Sequence, residues 1–456
     1  MQKFDLAVIG SGSGLDVAFA AAQHGMKVAI IEKDRMGGTC LNRGCIPSKL
    51  LIYCADVVET IRKAGIFGID VEKFSVDFDA IVRRATRIVD HESDSIRNAY
   101  TETDNPLLFA KECRFTGEKQ LAMENETISA DKILIASGTR PAIPKIQGLE
   151  ESGYITSDQA LRLSKQPQRL TIIGGGYIAA ELGHFFGALG TKVDIIETGS
   201  TMLKYEDRDI AEKFTELFSQ KYGVHAGYRV EYVAKANGLF HIVAGKPEST
   251  LELDSDQLLI AAGRVPNSDT LDLENSGVKT DASGFILVDE YLETNIKGIF
   301  ALGDAVGRYQ FKHSANLEAQ YAFHNITHPT KIPVDYTAMP HAIFSSPQVA
   351  GVGATEQELE SKGVQYKKTI YRYADTAMGQ SIEDRDGFVK FLVSDEGSIL
   401  GCHVLGSQAS ILIHEVLVVM KMAGTIRNIA NAVHIHPALS EVVARGAYAA
   451  SQVVEK

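Results

Sequence analysis

Asp5-Leu-Ala-Val-Ile-Gly10-Ser-Gly12-Ser-Gly14-Leu15 decides the fold, together with Val17-Ala-Phe-Ala-Ala-Ala-Gln-His24 and Lys27-Val-Ala-Ile-Ile-Glu32 that follow it. A short apolar run, a small-residue helical stretch and a second short apolar run spell a βαβ unit. Both strands are apolar throughout, as strands buried on two faces must be. Gly10 suits the tight turn after the first strand, and Gly12 lets backbone approach a pyrophosphate at the helix N-terminus. The third glycine of the usual pattern is displaced, since Leu15 stands in its place with Gly14 just before it. Glu32, ending the second strand, restores the reading, because an acid there can bind a ribose hydroxyl.

The pattern returns far downstream. Arg169-Leu-Thr-Ile-Ile-Gly174 leads through Gly174-Gly-Gly176-Tyr177-Ile-Ala179 to Lys192-Val-Asp-Ile-Ile-Glu197. Two such units predict two dinucleotide-binding domains, each built on a parallel sheet. Glu197 would repel a 2′-phosphate, so it argues for NAD(H) over NADP(H). Each unit has an echo, Lys132-Ile-Leu-Ile-Ala-Ser-Gly138 and Gln257-Leu-Leu-Ile-Ala-Ala-Gly263, closely followed by Pro141 or Pro266, which are expected to stop regular structure. Gly298-Ile-Phe-Ala-Leu-Gly-Asp304 is a further buried strand ending in an acid. Beyond about Tyr336, alternation in Gly387 to Val393 and Leu400 to Leu405, with a helix over Ile411 to Met422, predicts an α+β C-terminal domain.

The 456 residues suit about three domains at roughly 150 residues each. With 45% hydrophobic and 23% charged residues the composition is that of a globular chain, neither disordered nor coiled-coil. A net charge of −12 with no basic block excludes a phosphate-tracking nucleic-acid binder. No apolar run approaches the ~18 residues of a membrane span. Asp5 and the glycines at 10, 12 and 14 spoil the start as a signal peptide, so a cytoplasmic protein is expected.

Gly37-Gly38-Thr39-Cys40-Leu-Asn-Arg-Gly44-Cys45-Ile-Pro47-Ser-Lys49 carries two of the five cysteines. On a regular helix, residues five apart are rotated by about 140°, which is poor disulfide geometry, but the flanking glycines can supply the distortion. Pro47 fits early in a following helix, whose N-terminus would stabilise a thiolate. A redox pair is the main reading. A metal site or inert thiols remain open, although no second CxxC or histidine pair lies near enough to complete a zinc site, and no metal is expected. Cys54, Cys113 and Cys402 are solitary and read as packing residues. His434-Ile-His436-Pro437-Ala-Leu-Ser-Glu441 could hold a proton-shuttling histidine oriented by a carboxylate, a structural pair or a metal ligand.

GGTCLNRGCIPSK resembles the redox segment of the pyridine nucleotide–disulfide oxidoreductases, and the two glycine clusters, Thr294 to Ala305 and His436 to Glu441 occur in that family's order. Its dihydrolipoyl dehydrogenase branch is the most similar and its mycothione reductase branch the nearest rival. Ser440 and Glu197 point to the former; the Gly10-to-Gly14 turn, Tyr177 to Glu181 and His313-Ser-Ala-Asn316 point to the latter. The resemblance implies FAD and NAD(H) as cofactors, a small-molecule or lipoyl-domain disulfide as substrate, and a homodimer with a shared active site. It implies an FAD-binding part over 1–147, an NAD(H)-binding domain over 148–266, a second FAD/central part over 267–335 and a dimerisation domain over 336–456.

By the same resemblance Cys40 is the interchange thiol and Cys45 the flavin-facing one. Lys49 and Glu181 form an ion pair beside the flavin, Asp304 binds its ribityl chain, Glu32 its adenosine ribose, and His436 is the acid–base oriented by Glu441. Gly10, Gly12, Gly14, Gly38, Thr39 and Gly138 fall on the flavin side, and Gly174, Gly176, Tyr177 and Gly263 on the nicotinamide side. A flavin-bearing structural subunit without turnover is the reading from another class, against which the retained cysteines, His436 and Glu441 argue.

Overall fold

The computed structural model describes residues 1–455. Its first sheet has seven strands. Gln2–Ile9 lies at the centre, parallel on one side to Val28–Ile31 and on the other to Glu126–Ile135. Ile299–Ala301 also pairs in parallel with Glu126–Ile135. The register sets Ala7 against both Ala29 and Ile133. Val28–Ile31 is buried at every position, which is why the sequence there shows an unbroken apolar run rather than alternation. The helix Gly14–Gln23 connects the first two strands.

The second parallel sheet repeats this plan. Arg169–Ile173 lies between Lys192–Glu197 and Gln257–Ile260, with Ile172 facing Ile195 and Leu259 in register. The helix Tyr177–Ala188 makes the crossover. An antiparallel three-stranded sheet, Arg229–Ala236, Leu239–Lys246 and Ser249–Ser255, is inserted before the last of these strands. Residues from Pro340 onward form a five-stranded antiparallel sheet with Gln348–Gly353, Ile399–Gly406, Phe388–Val393 and Lys367–Arg372, covered by the helices Ala409–Lys421 and Glu441–Val454. The architecture is α/β, with two Rossmann-like units and an α+β C-terminal part.

Pro141 and Pro266 are the last residues of the short strands Thr139–Pro141 and Arg264–Pro266, which pair as a two-stranded antiparallel ribbon. A short ribbon exposes its edges, so a proline can occupy it without breaking a ladder it never had to extend.

The second nucleotide unit is locked to the C-terminal sheet by a buried cation. Lys390, fully buried in Phe388–Val393, donates to Asp207 Oδ1 at 2.7 Å, Asp209 Oδ2 at 2.7 Å and Glu356 Oε2 at 2.6 Å. Desolvation opposes the ionised form of Glu356, but the Lys390, Tyr366 and Lys368 hydrogen bonds prevail and hold its carboxyl down at about 2. Lys390→Met would strand three close carboxylates, and breaking a buried ion cluster typically costs about 3–5 kcal/mol. Because the folded value of Glu356 lies below its unfolded one, the stabilisation is complete above about pH 4.5 and fades as pH falls toward 2. Chemical denaturation should therefore show a Lys390→Met deficit that is largest near neutrality and narrows on acidification.

Candidate active site

Both glycine turns are steric necessities. Gly10 has φ +102°, and a Cβ there would lie 2.3 Å from Ala136 O; Gly174 has φ +110°, and its Cβ would lie 2.3 Å from Ala261 O. Each turn is tied to the acid at the end of the second strand. Glu32 Oε2 accepts from Ser11 N at 2.9 Å and Ser11 Oγ at 2.7 Å, while Oε1 accepts from Asp34 N at 2.9 Å. Glu197 Oε2 accepts from Gly175 N at 2.6 Å and Oε1 from Gly199 N at 2.6 Å and Thr198 Oγ1 at 3.1 Å. Gly14 sits behind the first turn, where a Cβ would meet Val8 Cγ1 at 2.8 Å, so it supplies the close helix–strand packing that Leu15 in the usual position cannot.

A cavity of about 1180 Å³ starts at Glu32, passes Gly10, Gly12, Gly38, Thr39 and Gly138, and reaches Asp304, Tyr177 and the cysteines. That exceeds the few hundred to ~1,000 Å³ of ordinary small-ligand pockets and suits a dinucleotide. Asp304 Oδ2 accepts from Thr139 Oγ1 at 2.8 Å, which in turn accepts from Arg264 Nε at 2.7 Å. Thr139 and Arg264 were not singled out in the sequence. Their signal was the matched Thr-Arg-Pro141 and Arg-Val-Pro266 after the two echoes, read there only as stops.

Cys40 lies in the helix Gly38–Arg43, and Cys45 begins the helix Cys45–Lys63 after the break at Gly44. The helix thus starts two residues before Pro47, and the bend that a regular helix could not give is located at Gly44. Both cysteines are thiols here and both face the cavity. The hydrogen bond from Cys40 and the nearby Lys49 ammonium bring the Cys45 thiol down to about 7 against desolvation and the Glu181 charge. The same contact, with desolvation, drives the Cys40 thiol upward. The pair is therefore unequal, and Cys45 is the sulfur that ionises first.

Lys49 Nζ donates to Glu181 Oε1 and Oε2 at 2.7 and 2.8 Å, joining this helix to Tyr177–Ala188. Glu181 Oε1 also accepts from Phe344 N at 3.1 Å, and the Lys49 ammonium lies 4.6 Å from the Phe344 ring centre. At the other end of the chain, His436 Nδ1 meets Glu441 Oε1 and Oε2 at 3.0 and 3.1 Å, leaving Nε2 toward solvent. The His436 contact lowers the Glu441 carboxyl, which Ala438 N also donates to. His434 is engaged separately with Glu415 at 2.5 Å. His436 and Glu441 do not line the cavity that holds the cysteines, nor do Gly14, Gly174, Gly176, Glu197 and Gly263. Lys312, Ser13 and Asn316 do line or adjoin it, and sequence reasoning had assigned none of them a contact.

Residues 4–319 match the family described as pyridine nucleotide-disulphide oxidoreductase, and residues 339–447 match that family's dimerisation domain. The chain belongs to this family. Among curated relatives, mycothione reductase of Mycobacterium tuberculosis is 37% identical over 97% of the chain and 98% of its own length. Dihydrolipoyl dehydrogenase of Chlamydia muridarum is 34% identical over 98% and 96%. Among solved structures, the Cu(II) complex of the HOCl-induced flavoprotein disulfide reductase RclA from Escherichia coli superposes with a TM-score of 0.88 at 26% identity, covering 98% of this chain and all of that one. The family is FAD-dependent and uses pyridine nucleotides. Among the described residues no helix is long and apolar enough to cross a membrane.

If Cys45 holds the thiolate, the flavin-loaded, two-electron-reduced protein should show a long-wavelength thiolate-to-flavin absorption band that is nearly complete above about pH 8 and vanishes as pH falls, with a midpoint near 7. Cys45→Ser should lack the band at every pH. Spectrophotometric titration of both proteins decides it.

Proposed function

We propose that this chain is a homodimeric, NADH-linked, FAD-dependent disulfide oxidoreductase that turns over a low-molecular-weight disulfide through Cys40 and Cys45. The carrying observation is the unequal thiol pair set against the Lys49–Glu181 ion pair in a dinucleotide-sized cavity. FAD, when bound there, supplies two-electron transfer between nicotinamide and the cysteine pair. Glu32, Asp304 and the first glycine turn would hold it, and the second turn with Glu197 would hold NADH.

The chain's own residues handle sulfur and protons. Cys40, relieved of its proton by His436 Nε2, attacks one sulfur of the disulfide RSSR; a Cys40–SR bond forms and RS⁻ leaves, protonated by the imidazolium. The Cys45 thiolate then attacks Cys40 Sγ, expelling the second RS⁻ and closing the Cys40–Cys45 disulfide for re-reduction. Glu441 holds the imidazole and stabilises its charged form. Reversal oxidises a dithiol.

His436 lies outside the cavity of its own chain, so the reading requires a second copy to present it. Support comes from the dimerisation-domain match and from apolar side chains left open beside it, Val433 at 102% and Ile435 at 79% exposure. For the substrate, a mycothione-type disulfide is favoured by the 37% relative, and by Tyr177 to Glu181 and His313 to Asn316. Dihydrolipoyl dehydrogenase, the first expectation from sequence, stands as the second reading, favoured by Glu197 and Ser440.

Parallel assays with mycothione, lipoamide and glutathione disulfide should give the highest kcat/KM for mycothione; a higher value for lipoamide installs the second reading. Should Cys45→Ser reduce all three as fast as wild type, the disulfide mechanism itself is wrong. His436→Gln should keep NADH-to-dye activity but lose about 10²–10⁴-fold in disulfide turnover. With the Glu197 carboxylate at the ribose site, one unfavourable charge contact of about 2 kcal/mol gives a roughly 30-fold preference for NADH over NADPH. A dye-linked kcat/KM that favours NADPH would remove the nucleotide assignment.

A further inference from the structure

Every lysine and arginine on the cavity wall except one has a carboxylate within 4.0 Å. The exception, among the described residues, is Lys312. It opens the helix Lys312–Thr327, is half-buried, and donates from Nζ to Ser13 Oγ at 2.8 Å. Ser13 is buried in the first glycine turn and passes its own hydroxyl proton to Asn316 Oδ1 at 2.9 Å, one helical turn beyond Lys312. Lys312 and Asn316 thus grip the serine that precedes the helix Gly14–Gln23. The charge of Lys312 also reaches Cys40, next to the cavity-lining Thr39.

An ammonium held in a cavity without a counter-charge is incomplete, since removing it from water is repaid only by an anion or several acceptors. Its one strong contact lies on the turn whose backbone N–H groups and helix N-terminus are suited to phosphate. We propose that Lys312, anchored on Ser13 and aided by Asn316, is a cofactor ligand that binds the pyrophosphate of the dinucleotide in this cavity. The proposal rests on the FAD reading above and adds to it the counter-ion that the glycine turn lacks. The Lys49 ammonium cannot serve, because Glu181 already neutralises it.

The test uses purified holoenzyme and follows FAD release by the fluorescence of the freed flavin at low and high KCl. A charge-assisted contact of this kind supports ~10- to 100-fold slower loss, and salt screens it. Lys312→Gln should release FAD about that much faster at low salt and respond less steeply to KCl, whereas Lys312→Arg should stay near wild type. The pH profile of Cys40 alkylation in the reduced holoenzyme should move upward in Lys312→Gln, where the charge that reaches Cys40 is lost, and stay in place in Lys312→Arg. Wild-type FAD release from Lys312→Gln overturns the proposal, as does faster release with an unchanged salt response. A shifted Cys40 profile with normal flavin retention would make Lys312 a partner of the thiolate instead. Wild-type protein that carries no flavin overturns the FAD reading itself and this ligand with it, which a visible spectrum shows before any variant is made.

Discussion

The Glu181 carboxylate is the joint on which the site depends. It takes two contacts from Lys49 on the cysteine helix and one from the backbone of Phe344, while belonging itself to the helix of the second nucleotide unit. Three parts of the chain that are far apart in sequence meet at one nearly buried group. Further along the same two helices, His184 Nε2 meets Asp56 Oδ1 at 2.8 Å, so the helices are pinned at two levels rather than one. A carboxylate at 6% exposure cannot be left without partners, and that obligation forces the cysteine helix, the nucleotide helix and the Phe344 segment into one relative position. The redox pair inherits that position because Cys45 and Lys49 lie within the first turns of a single helix.

The duplicated units solve one problem twice. A glycine turn that bends a strand into a helix leaves backbone N–H groups exposed toward the ligand. The acid from the neighbouring strand captures one of them in each unit, Ser11 N by Glu32 and Gly175 N by Glu197, and a second N–H two residues beyond itself. The turn is held before any cofactor arrives, and ordering it then costs less on binding. The acid therefore shapes the turn in addition to its proposed part at a ribose. This also explains why Leu15 is tolerated: the packing constraint falls on Gly14, one residue earlier, against Val8.

Much of this was legible because it is local. Strand runs, glycine turns, terminal acids and the cysteine segment are written within stretches of a few dozen residues, and periodicity and spacing expose them. The His436–Glu441 pair was legible for the same reason, being five residues apart. Its place was not, because nothing in His-Pro-Ala-Leu-Ser-Glu says which cavity it serves. Apart from Lys49 with Glu181, which the family resemblance implies, contacts between distant segments were silent: Lys312 with Ser13 across 299 residues, Lys390 with Asp207 across 183, Arg264 with Thr139 across 125. Each is a lone charged residue in an ordinary local context, and only the folded chain decides whether such a side chain meets a phosphate turn, an acid cluster or water.

In the proposed function, electron transfer and proton transfer are divided along the chain. The cysteines, Lys49 and both nucleotide turns are brought together by the folding of a single polypeptide, and their electrostatics already favour one thiolate on Cys45. The proposed proton acceptor, His436, stands on a separate domain with its ring at 68% exposure, held at one nitrogen by Glu441 and free at the other. On that proposal Cys40, whose thiol is driven upward by its neighbour, is the group that needs a base. With the base kept off the cysteine helix, as proposed, the same fold favours a thiolate on Cys45 and leaves Cys40 protonated until a substrate and an imidazole arrive together.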